Sequence, residues 1–402
     1  MDPKRVELLR KNKRRIFWTK LFIETKPLNF VLTLFYLSRG LELKNIFYLG
    51  IFWALTSFVL EIPTGYLADT IGRKRTLILG VLLYITGIII FLLAPSFWII
   101  ALAVVFQSAA FSCFSGVDSA LIYDSLKELG DEKSTIRVSG KYLSGGQFAK
   151  IFMPLVAAYI VKDLLPWQFN ALLLIDLFFS VISLMFAFSL TEPNRQTNLS
   201  QKEIGMLKDA FDLFKKDSSA RKLAFNKVLF FLGSLAFWKV YQPVLKDAGT
   251  TVHELAIVYS VMQVILFTSL WFSERIKKTV GSVNFMTIPV VLGLIGVTGY
   301  LFFDNKWVLL ICALFPLSLG SVRDPIFIYQ LNRRIKSFNR ATTNSLFNFL
   351  RGLFDIPLSL LIGYLVVYGV DNVYYIVIGI FILCLTVLSI RKKDLIFEIN
   401  EN

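Results

Sequence analysis

The chain has 402 residues and a net charge of +15, yet only 18% of its residues are charged, against about a quarter in soluble domains. Its hydrophobic residues, 55% of the total, are gathered into continuous runs near the length a bilayer core demands, about 20 residues per helix. This excludes a water-soluble globule, and the lack of strict alternation excludes a membrane β-barrel.

The chain opens on the basic stretch KRVELLRKNKRR. The apolar span that follows, 16–38, is longer than a signal-peptide core and has no small-residue cleavage site, so it is expected to be retained. Further spans are predicted at 45–67, 76–94, 98–122, 138–161 and 168–190. A polar connection, 191–222, comes next, in which Ile204, Leu207, Ala210, Phe211 and Phe214 recur at helical spacing, as in an amphipathic helix lying on a membrane surface. Six more spans are predicted at 224–245, 255–272, 284–303, 307–329, 342–366 and 373–390. The organisation expected is therefore an N-terminal six-helix bundle over 1–190, a cytoplasmic linker over 191–222 and a C-terminal six-helix bundle over 223–402.

With the N-terminus inside, most of the 43 Lys and Arg fall on cytoplasmic segments. Only Arg39, Lys44, Lys162, Lys246 and Lys306 fall in loops of the other side. This is the positive-inside bias, which places both termini in the cytoplasm of a cell or inner membrane and explains the basic excess without nucleic acid. The two halves echo each other: DSALIYD from Asp118 answers DPIFIYQ from Asp324, and DTIGR from Asp69 answers ERIKK from Glu274. Duplicated six-helix units are common in secondary transporters, with the binding site at midplane.

Other chemistries find no support in the sequence. Cys113, Cys312 and Cys384 lie in separate apolar spans and read as buried free thiols. His253 is the single histidine, so neither a metal cluster nor a nucleophile triad can be assembled around it. No phosphate-cradling GxxxxGK[ST] loop occurs, and no cofactor is expected beyond a proton gradient.

Between spans two and three stands EIPTGYLADTIGRKR. It resembles the loop 2–3 signature of the major facilitator superfamily, matched by Gly65, Asp69, Gly72, Arg73, Lys74 and Arg75. The resemblance implies an all-α membrane protein of 12 transmembrane helices in two pseudo-symmetric six-helix bundles, and alternating access to a central cavity. It also implies a conformational latch formed by Gly65, Asp69, Gly72 and Arg73, with Asp124 as the candidate partner of Arg73. EIPTGYLAD, ALIYDSLKE and RATTNSL look most like drug-efflux and exporter branches, although VVFQSAAF places Gln107 where many proton antiporters carry arginine, and AKIFMPLVAA keeps only Pro154 of the span-five antiporter signature.

Ionisable groups in hydrocarbon cost about 2.5 kcal/mol or more each, which makes them functional candidates. Glu24, Asp118 and Asp355 are the proton-coupling candidates, Glu24 first because Pro27 loosens the helix beside it. Lys26, Lys150 and Arg351 are candidate contacts for substrate, as are Trp238, Tyr241 and Gln242 on one face of span seven. Arg351 and Asp355, four apart, are expected to pair; Asp176 is expected to be structural, with Lys150 as a possible partner; Lys239 is expected to point away from that face or to snorkel outward, and Lys20 lies close enough to the inner surface to snorkel. The function expected is not enzymatic: a monomer in lipid that exports a small organic solute in exchange for protons. The alternative is proton-coupled import of a small organic anion, and a membrane sensor is the rival class.

Overall fold

The computed structural model describes residues 2–131, 134–194, 216–324, 326–327, 330, 334 and 342–395. Among them there is no strand. Nine helices there are long and apolar enough to cross a bilayer, and three shorter apolar helices, Asn29–Ser38, Lys306–Leu319 and Asp371–Leu385, fall on the remaining predicted spans. Large apolar side chains on these helices stand exposed, among them Phe302, Leu93 and Trp98, each more than two-thirds accessible. A face of that kind is stable only against lipid. The predicted amphipathic helix of the linker, with Ile204 to Phe214, lies outside the described residues.

The chain divides into two compact units, one formed by Met1–Leu41 and Phe52–Ser200, the other by Glu42–Ile51 and Gln201–Asn402. The first contains α1 (Pro3–Ile23), α2 (Leu32–Ser38), most of α3 (Leu43–Thr70), α4 (Arg73–Leu93), α5 (Phe97–Phe114), α6 (Val117–Glu128), α7 (Thr135–Ile160) and α8 (Pro166–Ser189). Two predicted spans are broken. Span 16–38 leaves the helix at Ile23 and regains it at Leu32 after a single tight turn, Asn29–Val31. Pro27 is the cause: it has no N–H to donate and disfavours helical geometry at the residue before it. Span 98–122 breaks between α5 and α6, where Gly116 takes a left-handed φ of 75°. Both breaks lie beside the charged residues of the site.

The second unit contains α9 (Ser218–Asp247), α10 (Val252–Trp271), α11 (Ser273–Val280), α12 (Ser282–Phe302), α13 (Lys306–Leu319), α14 (Thr342–Leu365) and α15 (Asp371–Leu385). Its core gathers Leu223, Phe285, Met286 and Phe327. Arg323 is buried among them, sandwiched over Phe230 at 4.4 Å and Phe327 at 5.1 Å, with Nη1 donating to Asn226 Oδ1 and to the Met286 carbonyl, each at 2.9 Å.

Glycine sets the closest helix approach in this unit. A Cβ on Gly296 of α12 would lie 2.5 Å from the Cys312 carbonyl oxygen and 2.8 Å from Pro316 Cδ of α13. Backbone cannot yield as a side chain can, so the helices would have to part. Gly296→Ala is expected to destabilise the protein by about 1–3 kcal/mol, the range for overpacking, read as a lowered melting temperature in detergent. Gly379→Ala on α15, where nothing lies within 4 Å of the new Cβ, is the control and should melt as the parent does.

Candidate functional site

The charged residues of the broken first span converge within the first unit. A cavity of about 130 Å³ is lined by Lys20, Glu24, Lys26, Tyr84, Gln107 and Asp118, with Trp53, Phe111 and Phe114 on its apolar side. Glu24 closes the end of α1 as its C-cap. One carboxylate oxygen lies 3.0 Å from Lys20 Nζ and the other 3.1 Å from Lys150 Nζ of α7. The approach of α7 is close: a Cβ on Gly146 would stand 3.2 Å from Glu24 Cγ, and the Glu24 side chain would have to shift to admit it.

The break in the helix turns Lys26 into the same space. Its Nζ sits 4.4 Å above the ring of Tyr84 on α4, a cation–π contact. The Tyr84 hydroxyl donates to Asp176 Oδ2 of α8 at 2.9 Å. Asp118, at the start of α6, accepts from the Ser119 N–H at 2.6 Å and takes a short hydrogen bond from the Tyr142 hydroxyl of α7. Lys20 Nζ lies 5.4 Å from the Tyr142 ring centroid. Two expectations change here. Lys150 pairs with Glu24 and not with Asp176, and Lys20 is held by Glu24 instead of snorkelling. Asp176, expected to be structural, is tied to the cavity residue Tyr84.

A second cluster joins the ends of α1, α4 and α6. Gly72, with a φ of 122°, is the N-cap of α4. The exposed amides of Arg73 and Lys74 are capped by Glu192, at 2.9 Å and 2.8 Å to its two oxygens. A carboxylate there satisfies two orphan donors and opposes the helix dipole. Arg73 Nη1 lies 3.0 Å from Asp124 Oδ2. Gly65 and Asp69 lie on the last turns of α3, both half-buried. Asn12 of α1 exchanges hydrogen bonds with the Thr191 backbone, at 2.8 Å and 2.9 Å, and Arg5 pairs with Glu128. In the loop after α6, the Lys13 ammonium 2.8 Å away and the Ser134 hydroxyl hold the Asp131 carboxyl below its ordinary range.

The remaining candidates lie in the second unit. Tyr241 and Gln242 are fully buried, the Gln242 amide donating to Tyr241 Oη at 3.2 Å, within an aromatic cluster with Phe237, Tyr300 and Tyr374. Trp238 is half-buried beside them in sequence. Asp355 accepts from the Ser359 hydroxyl at 2.9 Å, and that hydroxyl stands 3.3 Å from Lys239 Nζ. Arg351 lies with its guanidinium 4.6 Å over the Phe231 ring. The direct Arg351–Asp355 pair expected from their spacing is thus not what forms: Asp355 turns to Ser359, and Arg351 to an aromatic face. Of the two alternatives for Lys239, the inward one holds: it is buried over the Phe47 ring at 4.9 Å.

Residues 28–356 match the family model of the Major Facilitator Superfamily. The chain belongs to that superfamily. Membership places it among multi-pass membrane transport proteins and not among enzymes. It is 24% identical over 217 residues to the "Inner membrane transport protein YajR" of Escherichia coli (strain K12), a match covering 54% of this chain and 46% of that protein. The chain spans about half the length of the curated relatives it matches. Among solved structures it is similar to a mutant of the nucleoside transporter NupG, with a TM-score of 0.79 at 15% identity over 94% of this chain and 98% of that one. It is also similar to the D-xylose-proton symporter, with a TM-score of 0.71 at 12% identity over 96% of each chain. At these identities the likeness shows the superfamily fold.

Proposed function

We propose that this chain is a proton-coupled secondary transporter of a small organic anion, working by alternating access in a cell or inner membrane with both termini cytoplasmic. The observation that carries the reading is Glu24 held between Lys20 and Lys150, one carboxylate oxygen to each. Two ammonium groups at that spacing suit the carboxylate of a solute as well as they suit Glu24. For the solute to take the lysines, Glu24 must give them up. A proton on Glu24 removes its charge and releases them. Proton and anion then load together and leave together, which is symport.

Exchange of a solute for protons, the reading favoured from sequence, asks Glu24 to face the solute directly. In the cavity it faces two lysines instead. The Arg73–Asp124 contact and the Glu192 cap hold the turn from α3 to α4, and we read Gly65, Asp69, Gly72, Arg73 and Asp124 as the latch that biases the two access states.

A panel of small mono- and dicarboxylates, screened by thermal shift on the purified protein, tests this. Binding is expected to strengthen from mildly alkaline to mildly acidic pH, both above the ligands' own pKa values. Uptake of the best ligand into proteoliposomes is expected to follow an imposed proton gradient. Binding that weakens as protons are added returns the exchange reading.

A further inference from the structure

The mechanism above uses one acid, and the same cavity reaches a second. Asp176 lies in the middle of α8, a helix otherwise apolar around it, and is 4% exposed. One of its oxygens accepts from Tyr84 Oη, while the other has only the buried Ser180 hydroxyl, one turn along α8, beside it and no completed hydrogen bond. An ionised carboxylate with so few donors at that depth is costly. A proton on the carboxyl group or an ammonium brought to it lowers the cost. Tyr84 meets both needs: its hydroxyl touches Asp176, its ring carries Lys26, and it lines the cavity.

We propose that Asp176 is a second proton-loading carboxylate of the transport cycle, reached from the cavity through the Tyr84 hydroxyl. This rests on the proton-coupled reading above. A hydronium ion in the cavity gives its proton to Tyr84 Oη while the hydroxyl's own proton passes to Asp176 Oδ2. Water is left behind, Tyr84 regains its hydroxyl and Asp176 becomes neutral. The charged groups in reach of Asp176 from the packed elements are Lys26 and Glu24, and Lys20 and Lys150 stand in reach of Lys26 in turn. Three lysines there face three carboxylates, Glu24, Asp118 and Asp176. With Glu24 protonated as well, neutralising Asp176 removes the second carboxylate that opposes Lys26, adding a third ammonium to the place an anion would occupy. Two protons then accompany one anion.

Infrared spectra of the purified protein, taken across a pH series, read the protonation directly. The expected result is a protonated-carboxyl band that grows as the pH falls, is absent in Asp176→Asn and moves in frequency in Tyr84→Phe, which keeps the carboxyl and removes its donor. Tyr84→Phe retains the ring under Lys26 and keeps the test open should Asp176→Asn fail to fold. In proteoliposomes, proton-driven uptake in Asp176→Asn is expected to fall about a hundredfold, as on removing a positioned proton-transfer group. A carboxyl band that ignores pH, or persists unchanged in Asp176→Asn, overturns the inference. So does proton-driven uptake undiminished in that variant, which leaves the transport reading standing. A titrating Asp176 band in a protein whose uptake ignores the gradient supports the protonation and overturns the transport reading alone.

Discussion

Glu24→Gln is expected to bind carboxylates with an affinity that changes less steeply with pH, only the Asp176 dependence remaining, and to lose proton-driven uptake altogether. Glutamine keeps the shape of the side chain and one acceptor oxygen, so Lys20 and Lys150 still find a partner, but a neutral one. An anion then meets two ammonium groups that nothing charged competes for. Binding should match or exceed that of the parent at acidic pH. Uptake should fail because the variant has no carboxylate there to reload. Breaking a buried ion pair by removing one charge costs about 3–5 kcal/mol. Here the side chains of Glu24, Lys20 and Lys150 are 17%, 18% and 31% exposed, so solvent screens the loss and the penalty should fall below that range. Counterflow, which needs binding and alternation but no proton cycle, is the control and should survive. Gradient-driven uptake at the parent's rate in Glu24→Gln would clear Glu24 of the coupling role.

What was legible in the sequence followed from local rules. Continuous apolar runs marked all twelve spans, because lipid forces each backbone group to be satisfied within its own helix. Pro27 announced the break beside Glu24 and Lys26. The break at Gly116 was not announced, since a lone glycine in an apolar run is common and becomes a hinge only through its φ of 75°. The Arg73–Asp124 contact was reached through family resemblance, the Glu24–Lys150 contact not at all. Those two residues lie on different helices, and nothing in their spacing says that α7 passes the end of α1. Tyr84 was invisible for a related reason. An aromatic residue within an apolar span reads as packing, and only the approach of Asp176 from α8 and Lys26 from the helix break gives its hydroxyl and its face separate tasks. Glu192 was overlooked because it begins the linker, where a carboxylate reads as a solvated charge until the amides of α4 are seen beneath it. The pairing of Arg351 with Asp355 failed in the opposite direction. Spacing brought them to one face and within electrostatic reach, but Asp355 bonds the Ser359 hydroxyl and Arg351 lies over the Phe231 ring.

Lys150→Met should weaken carboxylate binding about tenfold to a hundredfold, the worth of one charge-assisted hydrogen bond of about 1.5–3 kcal/mol. Methionine is unbranched and close in length to the lysine stem, so the loss reports the ammonium and not a cavity. Lys20→Met should cost a similar amount, since each lysine holds one oxygen of the same carboxylate. Removing both strips Glu24 of its two ion-pair partners, leaving only Lys26 among the described residues within electrostatic reach, and should destabilise the fold, because a poorly compensated carboxylate in a largely desolvated site is worse than no charge at all. Adding Glu24→Gln to that double variant removes the carboxylate the two lysines opposed and should raise the melting temperature again without restoring binding. The set therefore separates recognition from stability. Stability follows whether Glu24 carries a charge without its two lysines, while affinity follows the number of lysines and never returns. Carboxylate affinity unchanged in Lys150→Met would remove the anion from the reading. A gain in affinity for organic cations in the double variant, where Glu24 stands free to meet them, would point to an exchanger whose acid faces its solute.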